Sequence, residues 1–189
     1  GNKLYFDTES TAGNPFPFMP NKDGSPPDFK GAESYLHRIT VDLSGKAKVY
    51  NIEKIFPLSM PLPRQDDRYN TVPYRYGYGA CPDPSVDRRV AGSCYARVDL
   101  QTKSYKLWNA GTKISLAEPV FAPKHAKARE GEGYLMGIAY HLDENLRSDL
   151  VILDAEHVED GPIATVRLPV QASPQVHGLW VRGDLYPTV

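Results

Sequence analysis

Long apolar runs, an excess of one charge and a helical pattern are missing from this chain, and these absences narrow the class of protein. No apolar run approaches the roughly 18 residues of a membrane-spanning helix, so we expect this segment to make no membrane contact. The 22 basic and 23 acidic residues give a net charge of -1 and no basic face for nucleic acid. The best helical candidate, Ala126–Glu132, is short and interrupted by Gly131.

Cysteine is scarce as well, with Cys81 and Cys94 the only two in the chain. Two cysteines are too few for a disulfide framework, and the sequence contains no CxxC pair of the kind that binds zinc. We favour two reduced thiols in a cytoplasmic protein; a bridge across a hairpin is the alternative. The sequence also lacks a phosphate-binding loop and a Ser/His/Asp nucleophile motif.

The residues that are plentiful favour β-structure with many turns. The chain has 12 tyrosines and 17 prolines but only 3 methionines. Tyrosine is enriched in strands and proline in turns. The pattern predicts strands over Lys3–Asp7, Tyr35–Leu43, Ala47–Ile52, Tyr74–Ala80, Cys94–Leu100, Ser104–Trp108, Tyr134–Leu142, Asp149–Ala155 and Ile163–Leu168.

One unit recurs along the chain: a strand ending in apolar-Asp-apolar, a polar turn and a second strand. Its aspartates are Asp42, Asp99 and Asp154, which are 57 and 55 residues apart (42 to 99 and 99 to 154). Each carboxylate can accept hydrogen bonds from turn amides two residues further on. Four short strands in roughly 50 residues are typical of a propeller blade. The alternative is a β-sandwich whose hairpins resemble one another by chance.

About three such units span residues 1–189, too few to close a propeller ring and hide its edge strands. The first residues, Gly1-Asn2-Lys3, lack an initiator methionine and lead directly into strand-like sequence. We therefore expect an all-β fragment that supplies several blades of a larger propeller. The remaining blades, in the same protein, would be its partners.

Two residues are candidates for chemistry. His177 is flanked by apolar Val176 and by Gly178, which permits close backbone approach. These neighbours allow a ligand role and equally the commoner role of a structural histidine, and an apolar strand is expected to follow. Glu118 lies in a buried-looking strand, where its charge needs a partner. That partner is either a metal-bound imidazole, whose second N–H a carboxylate commonly accepts, or a nearby Lys or Arg.

A proline-rich stretch interrupts the strands between Thr8 and Ala32. Its prolines forbid a central strand, yet Phe16, Phe18 and Met19 are too apolar for a solvated linker. Loops of this length in compact domains are usually functional or disordered. We expect this one to pack against a cavity wall.

Several segments occur in the order seen in the carotenoid cleavage oxygenases. They are Leu62–Tyr69, Pro73–Gly77, Glu118–Pro123, Ser148–Ala155 and Val176–Trp180. The segments that most resemble the bacterial lignostilbene dioxygenases are Phe16-Pro17-Phe18, Asp23-Gly24 and Tyr35–Arg38. The resemblance covers essentially the whole chain. It implies that residues 1–189 form roughly the C-terminal third of a seven-bladed β-propeller.

The resemblance also implies a non-haem Fe(II) on the propeller axis, held by four histidines that glutamates orient. His177 matches the last of these ligands and Glu118 matches one of the glutamates, while the other ligands lie upstream of Gly1. Where the family usually has Glu-Phe-Pro-Arg, this chain has Pro61-Leu62-Pro63-Arg64. Pro61 thus replaces another orienting glutamate, and water or another group would orient the corresponding ligand histidine.

The implied reaction adds O2 across an electron-rich C=C bond and splits it into two carbonyl products. Neutral imidazoles suit Fe(II) and leave positions open for dioxygen. A dry apolar tunnel would orient the substrate, a small apolar or aromatic alkene, and Phe16, Phe18 and Val176 are expected to line it; plain core packing is their alternative role. A stilbene or other phenylpropanoid is favoured as substrate. The alternatives are an apocarotenoid, or a non-catalytic propeller that acts as a binding scaffold.

Overall fold

The strands among the described residues form three antiparallel sheets. The structure is a computed structural model that describes residues 2–13, 19–26, 33–45, 48–85, 92–174 and 176–183, without the side chains of residues 48 and 49. The described residues form twelve strands and two short 3-10 helices, at Asp67–Tyr69 and Val158–Asp160. The sheets follow one another along the chain, each built from consecutive strands.

Sheet one is a meander at the start of the chain. Its strands are β1 (Lys3–Ser10), β2 (Tyr35–Asp42) and β3 (Lys48–Ser59), in the order β1-β2-β3. Among the described residues β1 has no strand on its outer side, and its residues Leu4, Tyr5 and Phe6 are about half exposed. An unpaired apolar edge of this kind is a surface that proteins normally cover.

Sheets two and three contain the remaining strands. Sheet two has the order β4 (Arg64–Gln65), β5 (Tyr76–Cys81), β6 (Cys94–Asp99) and β7 (Ser104–Asn109). Sheet three is formed by β8 (Ile114–Leu116), β9 (Val120–Pro123), β10 (Gly133–His141), β11 (Arg147–Asp154) and β12 (Pro162–Arg167). In it β12 pairs β11, β11 pairs β10, and β8 and β9 both pair β10.

Sheet two packs against a neighbouring sheet through each of two apolar clusters. One cluster joins Leu36, Phe56 and Met60 near sheet one to residues of β5 and β6 that include Cys81 and Val98. The other joins sheet two to sheet three through buried residues that include Tyr78, Tyr95, Phe121, Leu135 and Leu153. A sandwich has two packed sheets, whereas three sheets packed in series are the arrangement of propeller blades.

The predicted aspartate turns are confirmed in all three sheets. Asp42 accepts a hydrogen bond from the N–H of Ser44 at 2.8 Å. Asp99 accepts one from Gln101 at 3.0 Å, and Asp154 one from Glu156 at 2.8 Å. Each carboxylate therefore closes its turn by bonding an amide two residues on, as the repeat predicts.

Residues 126–132, the weak helical candidate of the sequence, form turns, and Gly131 adopts a left-handed φ of 82°. Two local predictions are wrong. Glu118 lies between β8 and β9 instead of within a strand, because the following Pro119 has no N–H for the ladder. The described residues after His177 form no strand, and Leu179 is 72% exposed.

Cys81 and Cys94 lie directly opposite each other on β5 and β6. Both are free thiols and both are buried. Within the described ranges, no helix has the length and apolar character needed to cross a membrane.

Candidate metal-binding site

The structure brings His177 and Glu118 together. Nδ1 of His177 lies 3.5 Å from Oε1 of Glu118, whose side chain is 3% exposed. The N–H of the next residue, Gly178, donates to Oε2 of Glu118 at 3.0 Å. A Cβ on Gly178 would lie 2.9 Å from Cγ2 of Val120, so any other residue here would force Val120 to shift. The buried carboxylate thus contacts both the imidazole and the backbone that carries it.

The backbone before Glu118 is fixed on both sides of Ala117. The Ala117 N–H donates to the carbonyl of Ile138 on β10 at 2.9 Å. The Ala117 carbonyl accepts from the hydroxyl of Tyr95 on β6, also at 2.9 Å. Burial raises the pKa of Tyr95, so this hydroxyl keeps its proton and remains a donor. Gly137 makes room for Tyr95, since a Cβ there would overlap the Tyr95 hydroxyl.

The segment that leads to His177 is held mainly by side chains. After β12, the N–H of Leu168 donates to the Ser148 carbonyl at 3.0 Å. Ala172 then donates to Oγ of the same serine at 3.0 Å. The hydroxyl of Tyr140 donates to the Ser173 carbonyl at 3.0 Å. These bonds hold the irregular segment after β12 against β10 and β11 of sheet three, and the segment then reaches His177.

Arg64 is a site residue that sequence analysis did not single out. Its Nη1 lies 3.6 Å from Oε1 of Glu118, and its Nη2 lies 3.4 Å from Oδ2 of Asp67. The sequence left an imidazole or a cation as alternative partners of Glu118, and the structure places both beside it. A buried carboxylate needs a compensating charge. The expected burial of Glu118 could therefore have predicted an arginine or lysine beside it.

Beyond Arg64, a cleft of about 980 Å³ separates β1 from residues 63–74. Asp7, in its wall, accepts two hydrogen bonds from Arg38, each 2.8 Å long, and a further one from the Tyr74 hydroxyl. Burial and the Asp7 carboxylate raise the pKa of Tyr74. This cluster ties sheet one to the loop before β5.

The turn at Pro61 has a left-handed backbone residue directly after the proline. Pro61 is exposed, and Leu62 has a φ of 54°. The N–H of Leu62 donates to Oε2 of Glu9 at 3.0 Å. A carboxylate from β1 therefore bonds the residue beside Pro61.

The other sequence candidates have separate locations. Val176 is 62% exposed and contributes nothing to the described core. Phe16 and Phe18 lie outside the described residues.

The contacts of His177 fit the role of a metal ligand. A carboxylate at Nδ1 favours the Nδ1–H form, which leaves the lone pair on Nε2 for a metal. The imidazole side chain is 69% exposed, and its one ion-pair contact among described residues is with Glu118. Within the described ranges, no three His, Cys, Asp or Glu side chains are grouped to hold a metal. A metal at His177 therefore requires ligands from other parts of the protein.

Comparison with known proteins agrees with the described sheets. The family model for the retinal pigment epithelial membrane protein matches residues 2–182. The chain belongs to this family, the carotenoid cleavage oxygenases. Within it, lignostilbene-alpha,beta-dioxygenase isozyme III of Sphingomonas paucimobilis is 35% identical over 196 residues. The match covers 99% of this chain and 40% of that relative.

Solved structures of carotenoid cleavage oxygenases have the same fold. The lignostilbene dioxygenase of Pseudomonas brassicacearum superposes with a TM-score of 0.85 at 29% identity, over 97% of this chain and 40% of that one. A cobalt-substituted Synechocystis apocarotenoid oxygenase superposes with a TM-score of 0.80 at 25% identity, over 96% and 37% of the two chains. The prediction of an all-β propeller fold is confirmed.

Proposed function

We propose that the protein containing this chain is a non-haem Fe(II) dioxygenase that cleaves an alkene C=C bond into two carbonyl products. The observation that carries the proposal is the buried Glu118 carboxylate 3.5 Å from Nδ1 of His177. Family membership over residues 2–182 supports the same chemistry. The chain spans 40% of its lignostilbene dioxygenase relative, and we propose that it supplies about three C-terminal blades.

In this proposal His177 binds the metal through Nε2 and Glu118 fixes the imidazole from the opposite nitrogen. Imidazole ligands suit Fe(II), and the iron would supply the activation of dioxygen. Glu118 would orient the imidazole through one of its oxygens, while its other oxygen accepts the Gly178 N–H. The remaining ligands would come from the rest of the propeller.

The proposed substrate is a stilbene or another phenylpropanoid alkene, with dioxygen as co-substrate. Its support is the name of the 35% identical relative, a lignostilbene dioxygenase. Phe16, Phe18 and Val176 are proposed to line the substrate tunnel, and exposed Val176 directly precedes the ligand. An apocarotenoid is the second candidate, because one superposable structure is an apocarotenoid oxygenase. The facing free thiols of Cys81 and Cys94 favour a reducing compartment, the cytoplasm.

Metal analysis of the full-length protein tests the proposal. We expect near-stoichiometric iron in the wild type and its loss in His177→Ala, because one ligand is removed. The matched control is His157→Ala, which removes an exposed histidine in the loop after β11. Folded wild-type protein that takes up no iron would contradict the dioxygenase and favour a binding scaffold.

Product analysis separates the substrate classes. The iron-loaded enzyme is incubated with resveratrol-like stilbenes and, in parallel, with apocarotenals, and aldehydes are measured. Aromatic aldehydes from the stilbenes alone would support the proposed substrate, whereas cleavage of the apocarotenals alone would replace it with the second candidate.

A further inference from the structure

We propose that Arg64 is a positioning residue of the metal site, which holds the Glu118 carboxylate in the orientation that faces His177. The inference rests on the proposed function, because it assigns to Arg64 an effect on metal binding that is transmitted through Glu118 and His177. Arg64 itself would touch neither the metal nor the substrate.

The two oxygens of Glu118 are held in different ways. Oε2 accepts the Gly178 N–H at 3.0 Å. Oε1 faces Nδ1 of His177 at 3.5 Å and Nη1 of Arg64 at 3.6 Å. Without Arg64, the Gly178 N–H and the imidazole itself would be left to hold a carboxylate that can rotate about its terminal bond. Arg64 thus restrains the oxygen that the imidazole uses.

Charge balance leads to the same residue. The Glu118 side chain is 3% exposed, and a buried carboxylate without a cation is costly. Among the described residues, Arg64 is the one Lys or Arg in ion-pair contact with it. Nδ1 of the imidazole offers a hydrogen bond but no full charge when the ring is neutral. Arg64 therefore supplies the charge that keeps a carboxylate at this position.

Arg64 is itself well placed to act as a restraint. It belongs to β4, where it pairs opposite Tyr78, and its side chain is 20% exposed. Its second amino group lies 3.4 Å from Asp67. A planar guanidinium can contact two carboxylates in fixed directions, whereas a lysine acts as a mobile point charge. Lysine should therefore replace the charge but only part of the restraint.

The position of Arg64 makes the metal site depend on two blades. Glu118 precedes β9 in sheet three, and His177 lies on the segment that follows β12 of the same sheet. Arg64 comes from sheet two. The contact thus couples the packing of sheet two against sheet three to the orientation of a ligand on the segment that follows sheet three.

The test measures iron affinity and the visible spectrum of the cobalt-substituted full-length protein in five variants. Arg64→Met should weaken iron binding about tenfold, near the lower end for groups that support ligand histidines, and should shift the cobalt absorption bands. Arg64→Lys should recover most of the affinity. Arg75→Met is the matched control, because Arg75 lies directly before β5 of sheet two and pairs with Asp99 at 2.6 Å without touching Glu118. It should leave affinity and spectrum unchanged.

The remaining variants are Glu118→Gln and the Arg64→Met, Glu118→Gln double variant. If Arg64 acts through Glu118, Arg64→Met should weaken iron binding no further once Glu118 is replaced. Thermal unfolding of every variant separates loss of fold from loss of metal. Wild-type affinity and spectrum in folded Arg64→Met, or a full additional loss in the double variant, would overturn the inference while leaving the dioxygenase intact. A wild type that binds no iron would overturn both.

Discussion

At the residue scale, the position of Glu118 is set by the packing of neighbouring residues and not by strand formation. The buried Tyr95 hydroxyl fixes the carbonyl of Ala117, and Tyr95 fits there because Gly137 has no side chain. The position of the carboxylate thus depends on a glycine on a neighbouring strand. A buried hydroxyl-to-carbonyl bond of this kind is costly to break, because the carbonyl loses its partner away from water.

Gly137→Ala is expected to destabilise the protein by at least about 1–3 kcal/mol, the usual cost of overpacking a core. The added methyl group would overlap the hydroxyl of Tyr95. Chemical denaturation of the full-length protein measures the change. Gly45→Ala is the control, because no atom lies within 4 Å of the position that its added methyl group would occupy. Equal stability of the two variants would show that the core accommodates the added methyl group beside Tyr95 without cost.

Sequence reasoning finds the site residues whose immediate neighbours are informative. Val176 and Gly178 mark His177, and the apolar run around Glu118 indicates its burial. Arg64 escapes because its partner lies on another sheet and no local pattern joins the two. One histidine alone shows no metal-ligand motif. The metal is therefore predicted from the family resemblance and not from the spacing of ligands.

At the element scale, the three aspartate turns differ in how strongly their carboxylates are bound. Asp42 is held mainly by Ser44, which lowers its pKa. Asp99 receives the turn amides and also a two-pronged contact from Arg75, at 2.9 and 2.6 Å. The Arg75 guanidinium and these amides hold the pKa of Asp99 far below its usual range.

Asp99→Asn should flatten the acid dependence of stability more than Asp42→Asn does. A depressed carboxyl pKa stabilises the fold above the unfolded value of about 4 and loses that effect as pH falls towards the folded value. Unfolding free energies between about pH 2 and 7 measure the slope in each variant. Equal slopes would mean that Arg75 adds nothing to the turn.

The long strands are predictable, and the short ones are not. Tyr134–Leu142 is predicted and β10 covers Gly133–His141, because nine residues of alternating burial leave a clear period. β4 has two residues and β8 has three, too few to show a period. β4 forms because β5 offers backbone hydrogen-bond partners, and β8 forms because β10 does. The sequences of the short strands themselves do not contain this information.

At the scale of the whole molecule, the described sheets form a series with an apolar edge at β1. Sheet two is covered on both sides, whereas Leu4, Tyr5 and Phe6 of sheet one stay about half exposed. Blades of a propeller depend on their neighbours for such cover. The repeat of aspartate turns predicts that the sheets follow one another along the chain. It does not predict what covers the exposed edge of sheet one, because no single segment contains that information.

A protein limited to residues 1–189 should bind no stoichiometric iron and show no alkene cleavage. The described residues contain no group of three or more potential metal ligands, and His177 would be a single ligand. Metal analysis and size-exclusion chromatography of this piece, beside the full-length protein, check both the site and the uncovered edge. Tight one-to-one iron binding by the isolated piece would contradict the shared site.

The segment from Leu168 to Gly178 connects two anchored points, so its length is fixed. One end is fastened where Leu168 donates to Ser148, and the other where Gly178 donates to Glu118. Each residue added or removed between them changes the reach of the chain by up to about 3.5 Å, as much as the whole distance from the imidazole to its carboxylate. The number of residues between these two hydrogen bonds is therefore a dimension of the metal site, in addition to the identities of His177 and Gly178.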